Sequence, residues 1–188
     1  MARPKSEDKR DAIMAAAIRV IAAQGLSAPT AVIAREAGVS NGSLFTYFET
    51  KAELLNQLYG ELKAETAAAA LDGLPAEREI REQVLHMWSH WLRWATSYPD
   101  KRRTLAHLGV SDDITAESRE AGHRTMAGIA RLVERSRENG PMRDVPLGFV
   151  VGLMNAVAEA TTDFMIQDPA NADKHSQAAF DAMWRMLG

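Results

Sequence analysis

The order of apolar and polar residues along the chain predicts a protein built from helices. One buried helix face recurs at three- and four-residue spacing near the start of the chain, through Ile13, Ala16, Ala17, Val20 and Ile21. Ser6 can cap this first helix and Gly25 can end it, so we expect it over residues 6–24. No stretch shows the strict alternation of a half-buried strand. The predicted fold class is all-α, with about nine helices.

Two short helices with a glycine-containing turn between them are predicted over residues 30–51. Gly38 can take the left-handed conformation that ends the first helix, and Ser40 can cap the second. Val39 would be the apolar plug between the helices. A turn of three to four residues is the spacing of a helix-turn-helix, whose second helix enters the major groove of DNA. No charged residue stands between Ser40 and Phe48, although a surface helix ordinarily carries several.

The rest of the chain continues the helical pattern. Thr50 and Glu53 have the spacing of a capping box that opens a fourth helix, which ends before Gly73. Further helices are predicted over residues 76–98, 112–139, 147–167 and 171–187, with a short segment near 100–110. Gly122 and Gly128 are unfavourable inside a single helix over 112–139.

The last two helices carry more apolar surface than a small helical domain is expected to hide. Between Leu147 and Thr162 the only charge is Glu159, so the helix needs cover on nearly every side. We therefore expect a homodimer through these helices; the alternative is a helix buried in its own protomer. The candidate interface residues are Val150, Leu153, Met154, Val157, Phe180 and Trp184.

Composition restricts the classes of protein to consider. The 188 residues include no cysteine, which excludes disulfides and thiolate metal sites and fits a reducing compartment. The first ten residues lack a signal-peptide core, and no uninterrupted apolar stretch reaches the length of a membrane span, so we expect a cytoplasmic protein without a membrane partner. The net charge is −3, with +1 in residues 1–60 and −4 in the remainder. Four basic residues near the start of the chain could reach DNA phosphates: Arg3, Lys5, Lys9 and Arg10.

The segment AGVSNGSLFTYFETKAELL, residues 37–55, resembles the signature of the TetR/AcrR family of transcriptional regulators. With the helix that closes on Gly25, the resemblance covers about the first 60 residues. It implies a helix-turn-helix DNA-binding domain in residues 1–50 and a helical ligand-binding and dimerisation domain in residues 51–188. It also implies a homodimer on a palindromic operator, more often a repressor than an activator, which responds to a small, largely apolar effector. Neither an enzyme activity nor a cofactor is implied.

The family motif assigns roles to residues at matching positions. Asn41, Ser43 and Phe45 would face base edges, and Thr30, Tyr47 and Lys51 would meet phosphates. Ser40 and Gly42 complete the predicted DNA-binding set. Phe45 lacks the hydroxyl of the Tyr that is commoner there, and Ala31 stands where a polar residue is frequent. The alternative is a ligand carrier or interaction module that keeps the helical hairpin without binding DNA.

A cluster of tryptophans is the candidate for effector binding. Trp88, Trp91 and Trp94 lie within two helical turns and cannot all point inward along one stripe, although aromatic residues at this spacing commonly form core. We expect Trp88 and Trp91 to line a cavity together with His107 and Met126. His86 and His90 have the i, i+4 spacing of two metal ligands, but no third ligand is identifiable, so no metal site is predicted.

Overall fold

The computed structural model describes residues 5–188, with side chains from Glu7 onward, and the regular elements in this part of the chain are all helices, without a strand. The elements are α1 (Lys5–Gln24), α2 (Thr30–Glu36), α3 (Asn41–Tyr47), α4 (Lys51–Leu71), α5 (Ile80–Ser97), α6 (Pro99–Gly109), α7 (Ala116–Thr125), α8 (Ala127–Ser136), α9 (Leu147–Gln167), a 3₁₀ helix (Pro169–Asn171) and α10 (Ala172–Leu187). The predicted all-α class is confirmed.

The described residues form ten α-helices where about nine were predicted, because the expected helix over 112–139 is two helices. α7 and α8 meet at Met126, whose φ of −84° and ψ of 3° break the helical path. The glycines on either side serve close packing. A Cβ at Gly122 would lie 2.9 Å from the Tyr59 ring, and one at Gly128 would lie 2.7 Å from Leu71 Cδ1.

The first of two compact units comprises the chain up to Lys63 and Tyr98–His123. Its core unites α1, the helix-turn-helix, the first part of α4, and α6, through Ile13, Ile21, Ile33, Leu44, Phe48, Leu54, Leu58 and Leu108. The Thr104 hydroxyl donates a hydrogen bond to the Ile18 carbonyl at 3.0 Å. The compact unit therefore extends past the predicted domain boundary at residue 50, because the leucines of α4 and α6 are buried in the same core.

The second unit comprises Ala64–Ser97 and Arg124–Gly188. α5, α8, α9 and α10 enclose its core, which includes Val84, Trp88, Leu92, Val133, Val150, Met154, Phe180 and Leu187. Arg137 is buried, pairs with Glu134 at 2.8 Å and donates to the carbonyls of Met142 and Val145. This guanidinium fixes the connection between α8 and α9.

α9 is the one helix in the described chain whose length and apolar composition would let it cross a membrane, and 28% of its apolar stretch is buried inside the protein. One side packs on α10 and α5. Asn155, Glu159 and Asp163 add polar side chains along the helix, and a single helix that passes this test is weak evidence for a membrane span. A run of exposed or half-buried apolar residues follows the other side: Phe149, Leu153, Ala156, Ala160 and Phe164.

Three of the six predicted dimer residues lie inside the protomer. Val150, Met154 and Phe180 belong to the core of the second unit and are at most 7% exposed. Their predicted role in direct contact with a second copy is therefore wrong, because their surface is already covered. Leu153, Val157 and Trp184 are half-buried and retain surface.

Candidate nucleic-acid interface

The turn between α2 and α3 has the conformation that the sequence predicts. Gly38 adopts a φ of +71°, in the left-handed region that favours glycine. The amides of Gly38 and Val39 donate to the carbonyls of Arg35 and Ala34 at 3.1 and 2.9 Å, which satisfies carbonyl groups at the end of α2. Val39 packs half-buried on the core. The turn thus fixes the direction in which α3 leaves α2.

Ser40 begins α3 as its N-cap. Its backbone is extended, and its Oγ accepts a hydrogen bond from the Ser43 amide at 3.0 Å. Leu44 and Phe48 are fully buried one helical turn apart. Because these two side chains hold one face of α3 against the core, the opposite face is turned to solvent.

The outward face of α3 combines hydrogen-bonding groups with one aromatic ring and no charge. Asn41, Gly42 and Thr46 are exposed, Ser43 is half-buried, and the Phe45 ring remains 40% exposed. We call these five residues the reading face. An asparagine amide can bond adenine through two atoms, and an aromatic edge can pack on a thymine methyl group. The reading face therefore carries groups that can distinguish bases, on a helix that can enter a major groove.

Two predicted phosphate residues lie at the two ends of the helix-turn-helix. Thr30 is half-buried at the start of α2, and Tyr47 is half-buried in the last turn of α3.

Thr50 and Glu53 form the predicted capping interaction at the start of α4, where the Glu53 amide donates to Thr50 Oγ1 at 3.0 Å. The Glu53 carboxylate accepts from the Glu49 amide at 2.7 Å. The sequence signal for this helix start is confirmed.

Lys51 has partners within the protein that the sequence did not reveal. Its Nζ donates to the carbonyl oxygens of Leu26 at 2.5 Å and Ala28 at 2.8 Å. These bonds tie the first turn of α4 to the loop between α1 and α2, and they leave one of the three ammonium donors for another acceptor. A positive charge in the first turn of a helix is disfavoured by the helix dipole. The unusual position of Lys51 is therefore the one feature of the sequence that hints at carbonyl partners.

Arg10 is likewise engaged within the protein. Its Nη2 donates to Gln57 Oε1 at 2.9 Å and Glu61 Oε1 at 2.5 Å, and its guanidinium lies 5.8 Å from the Phe48 ring centroid. Arg10 therefore braces α1 against α4, and its contact with a DNA phosphate stays a prediction. Lys9 is exposed. The predictions for Arg3 and for the Lys5 side chain lie outside the described residues.

The residues predicted to bind an effector have different surroundings. Trp88 is 3% exposed, and its indole N–H donates to the Ser176 carbonyl at 3.2 Å, so it is a satisfied core residue. Trp91 and Met126 are half-buried in the second unit, whereas His107 is exposed on α6 in the first. Trp94 donates to Glu65 Oε1 at 2.9 Å. The indole N–H groups of Trp88 and Trp94 thus have internal acceptors.

His86 and His90 stack on each other with ring centroids 3.9 Å apart. His86 Nε2 lies 2.7 Å from the Asp72 carbonyl oxygen. Burial, with the neighbouring His86 and Arg93 charges, lowers the pKa of His90. No group of three metal-binding side chains occurs in the portion that the structure describes. The pair therefore covers carbonyl groups near the end of α4.

Comparison with known proteins places this helix arrangement among bacterial regulators. Residues 13–58 match the family model for bacterial regulatory proteins of the tetR family. Similar solved structures include a protein from Shewanella sp. PV-4 described as a tetR family transcription regulator, at 27% identity over 94% of this chain and 96% of that one, with a TM-score of 0.82. A TetR family transcription regulator from Marinobacter aquaeolei VT8 has 22% identity over 99% and 98%, with a TM-score of 0.81.

A third similar structure was determined with a small molecule bound. It is the TetR-like transcriptional regulator LfrR from Mycobacterium smegmatis in complex with proflavine. Its identity to this chain is 18%, over 94% of this chain and 95% of that one, and the TM-score is 0.68. At this level of sequence identity, the similarity shows a shared fold. The shared architecture extends well beyond the helix-turn-helix.

Proposed function

Because this chain belongs to the TetR family of bacterial regulatory proteins, we propose that it is a cytoplasmic transcriptional repressor that binds a palindromic operator as a homodimer. A small, largely apolar effector weakens that binding. The observation that carries the proposal is the reading face, which is uncharged, directed to solvent and fixed from behind by Leu44 and Phe48. Such a face is suited to base edges, because its groups make directional hydrogen bonds and apolar contacts.

In the proposed complex, residues of the reading face contact bases and residues beside it contact phosphates. Asn41, Ser43 and Phe45 face bases, since they lie in the first turns of α3. Thr30 and Tyr47 approach phosphates from the edges of the helix-turn-helix, and Lys51 offers its remaining donor. Ser40 and Gly42 let the backbone at the start of α3 come close to the duplex. Phosphate contacts set the position of the protein, and base contacts set the sequence preference.

The proposed homodimer forms through the outward side of α9. Phe149 and Phe164 are 57% and 59% exposed, and Leu153, Ala156 and Ala160 lie on the same helical face between them. An apolar stripe of this length is unusual on a monomer. A second copy related by a twofold axis would cover it with the same residues, and the dimer would carry two reading faces.

The proposed effector acts on the second unit. Similarity to LfrR, whose structure contains proflavine, supports a small-molecule role for this part of the fold. The Trp91 and Met126 side chains are half-buried in this unit, whereas Trp88 belongs to its core. For the effector to change DNA binding, it has to prefer one conformation of the dimer, by about 1–3 kcal/mol in typical allosteric proteins.

A mobility-shift assay with the duplex upstream of the coding region tests the proposal. We expect a complex that survives excess unrelated DNA, and we expect Asn41→Ala to weaken it by about 1–3 kcal/mol. Asn139→Ala removes the same amide from an exposed position in the second unit and should leave the affinity unchanged. Equal affinity for unrelated DNA, or equal binding by both variants, would contradict the assignment of the reading face.

A further inference from the structure

The second unit contains a cavity that includes none of the predicted effector residues. Its volume is about 350 Å³, and it lies between the end of α4, the α4–α5 connection, the start of α5, and α8. Leucine side chains from three of these segments form its apolar wall: Leu71, Leu74 and Leu132. Ligand sites in proteins begin at about this size.

Two arginines stand at the rim of this cavity. Arg131 and Arg135 are one helical turn apart on α8, so they project from the same face, and both are exposed. Across the described residues, no carboxylate oxygen lies within 4.0 Å of either guanidinium. Within this part of the chain, two positive charges without an anionic partner therefore border an apolar recess.

The third polar group of the lining is held in place by the fold. Gln83 is buried, and its Nε2 donates to the carbonyls of Ala76 at 3.0 Å and Arg78 at 2.6 Å. This orientation leaves its Oε1 toward Arg135, whose Nη1 donates to it at 3.3 Å. Gln83 thus positions Arg135 without neutralising its charge, and the guanidinium keeps donors for a further acceptor.

We propose that this cavity is the effector site and that its ligand is a small monocarboxylate with an apolar body. The carboxylate pairs with Arg131 and Arg135, since guanidinium groups bind carboxylates through paired, charge-assisted hydrogen bonds. The apolar body contacts the three leucines. This inference rests on the proposed function, because it identifies the chemical class of the effector.

The position of the cavity also provides a route to the DNA-binding unit. Leu71 is the last residue of α4, and α4 begins at Lys51, which is bonded to the loop between α1 and α2. A ligand that presses on Leu71 therefore acts on the far end of the helix whose first turn is tied to the helix-turn-helix. An effector that acts through α4 in this way changes operator affinity by about 5- to 150-fold, the usual range of allosteric coupling.

Isothermal titration calorimetry of the full chain with straight-chain carboxylates from butanoate to decanoate tests the site without DNA. We expect affinity to rise about fourfold for each added methylene, as apolar burial predicts, until the chain outgrows the cavity. Octan-1-ol, which lacks the charge, should bind at least about tenfold more weakly than octanoate.

Charge variants locate the binding site. Arg131→Gln and Arg135→Gln should each weaken octanoate binding by about tenfold or more. Arg185→Gln removes a guanidinium from an exposed position on α10 outside the cavity and should have no effect. Thermal unfolding of each variant shows whether it is folded. Absence of octanoate binding, or equal affinity in all three variants, would overturn the proposed site.

Operator binding in the presence of octanoate tests the effector role. We expect a drop in operator affinity for the wild-type protein and for Arg185→Gln, and a much smaller one for Arg131→Gln. Octanoate binding with unchanged operator affinity would overturn the effector assignment. A failure of the proposed function itself would be distinct, because operator binding would then be absent without any ligand, and calorimetry would still decide the carboxylate site.

Discussion

Lys51 shows how one side chain can serve both stability and DNA binding. Its Nζ holds the Leu26 and Ala28 carbonyls, and the proposed phosphate contact uses the donor that is left. We expect Lys51→Met to lower the free energy of unfolding by about 1–3 kcal/mol, because two carbonyl groups lose a charged donor. Urea denaturation measures this loss.

The phosphate role of Lys51 is measured separately, by the salt dependence of DNA binding. Lys51→Met should reduce the slope of log K against log salt by about one.

Lys9→Met is the control for the stability measurement. It lies at an exposed position on α1 and should leave the unfolding free energy unchanged. A Lys51 variant as stable as the wild-type protein would contradict the anchoring role that the structure gives this residue.

Residue-level predictions succeeded where the partners are close in sequence. Ser40 and the Ser43 amide, or Thr50 and the Glu53 amide, are separated by three residues, so local chemistry identifies them. Arg10 and Glu61, or Trp88 and Ser176, meet only through the fold. Hydrogen bonds over such separations leave no periodic signal in the chain.

The turn that orients α3 depends on one backbone conformation, at Gly38. A Cβ added at Gly38 or at Gly60 would meet open space, but only Gly38 has a positive φ, of +71°. Gly38→Ala should therefore cost about 1–2 kcal/mol of stability. Gly60→Ala, on an exposed surface of α4, should gain about 1 kcal/mol from helix propensity.

Thermal and chemical unfolding of the two alanine variants separate these effects, because the added methyl group is the same. DNA affinity should fall for Gly38→Ala, since α3 is displaced from its direction relative to α2, and should be retained by Gly60→Ala. Equal changes in stability for both variants would show that backbone conformation at the turn is unimportant.

Prediction of the elements was accurate where caps and periodicity agreed, and it failed where packing decided. α3 and α4 start at their predicted caps. The break at Met126 was missed because neither Gly122 nor Gly128 ends a helix by itself. These glycines mark close approaches to Tyr59 and Leu71, and such approaches appear only when the helices are assembled.

At the scale of the whole molecule, the proposed homodimer depends on the apolar stripe of α9. A glutamate at Ala156 would place a charge in the middle of that stripe, where burial without a partner is costly. We expect Ala156→Glu to convert the protein to a monomer in light scattering at micromolar concentration. Ala106→Glu adds the same charge on the exposed surface of α6 and should remain dimeric. A monomeric wild-type protein would contradict the proposed assembly.

Which residues of α9 form this stripe could not be read from the sequence. The helix is apolar on nearly all sides, so its periodicity does not distinguish the face that covers the core from the face left open. The structure separates them, with Val150 and Met154 inside and Phe149 and Phe164 outside. The existence of a surplus apolar surface was predictable, but its position was not.

DNA reading by α3 is best tested by selecting binding sites from random duplex DNA with the 188-residue chain at physiological salt. We predict an enriched site with twofold symmetry, bound about 10³-fold or more tightly than random duplex. Asn41→Ala should relax the preference at symmetry-related base pairs in both halves of that site. No enrichment, or an enriched sequence that is indifferent to Asn41, would show that the face of α3 does not read DNA.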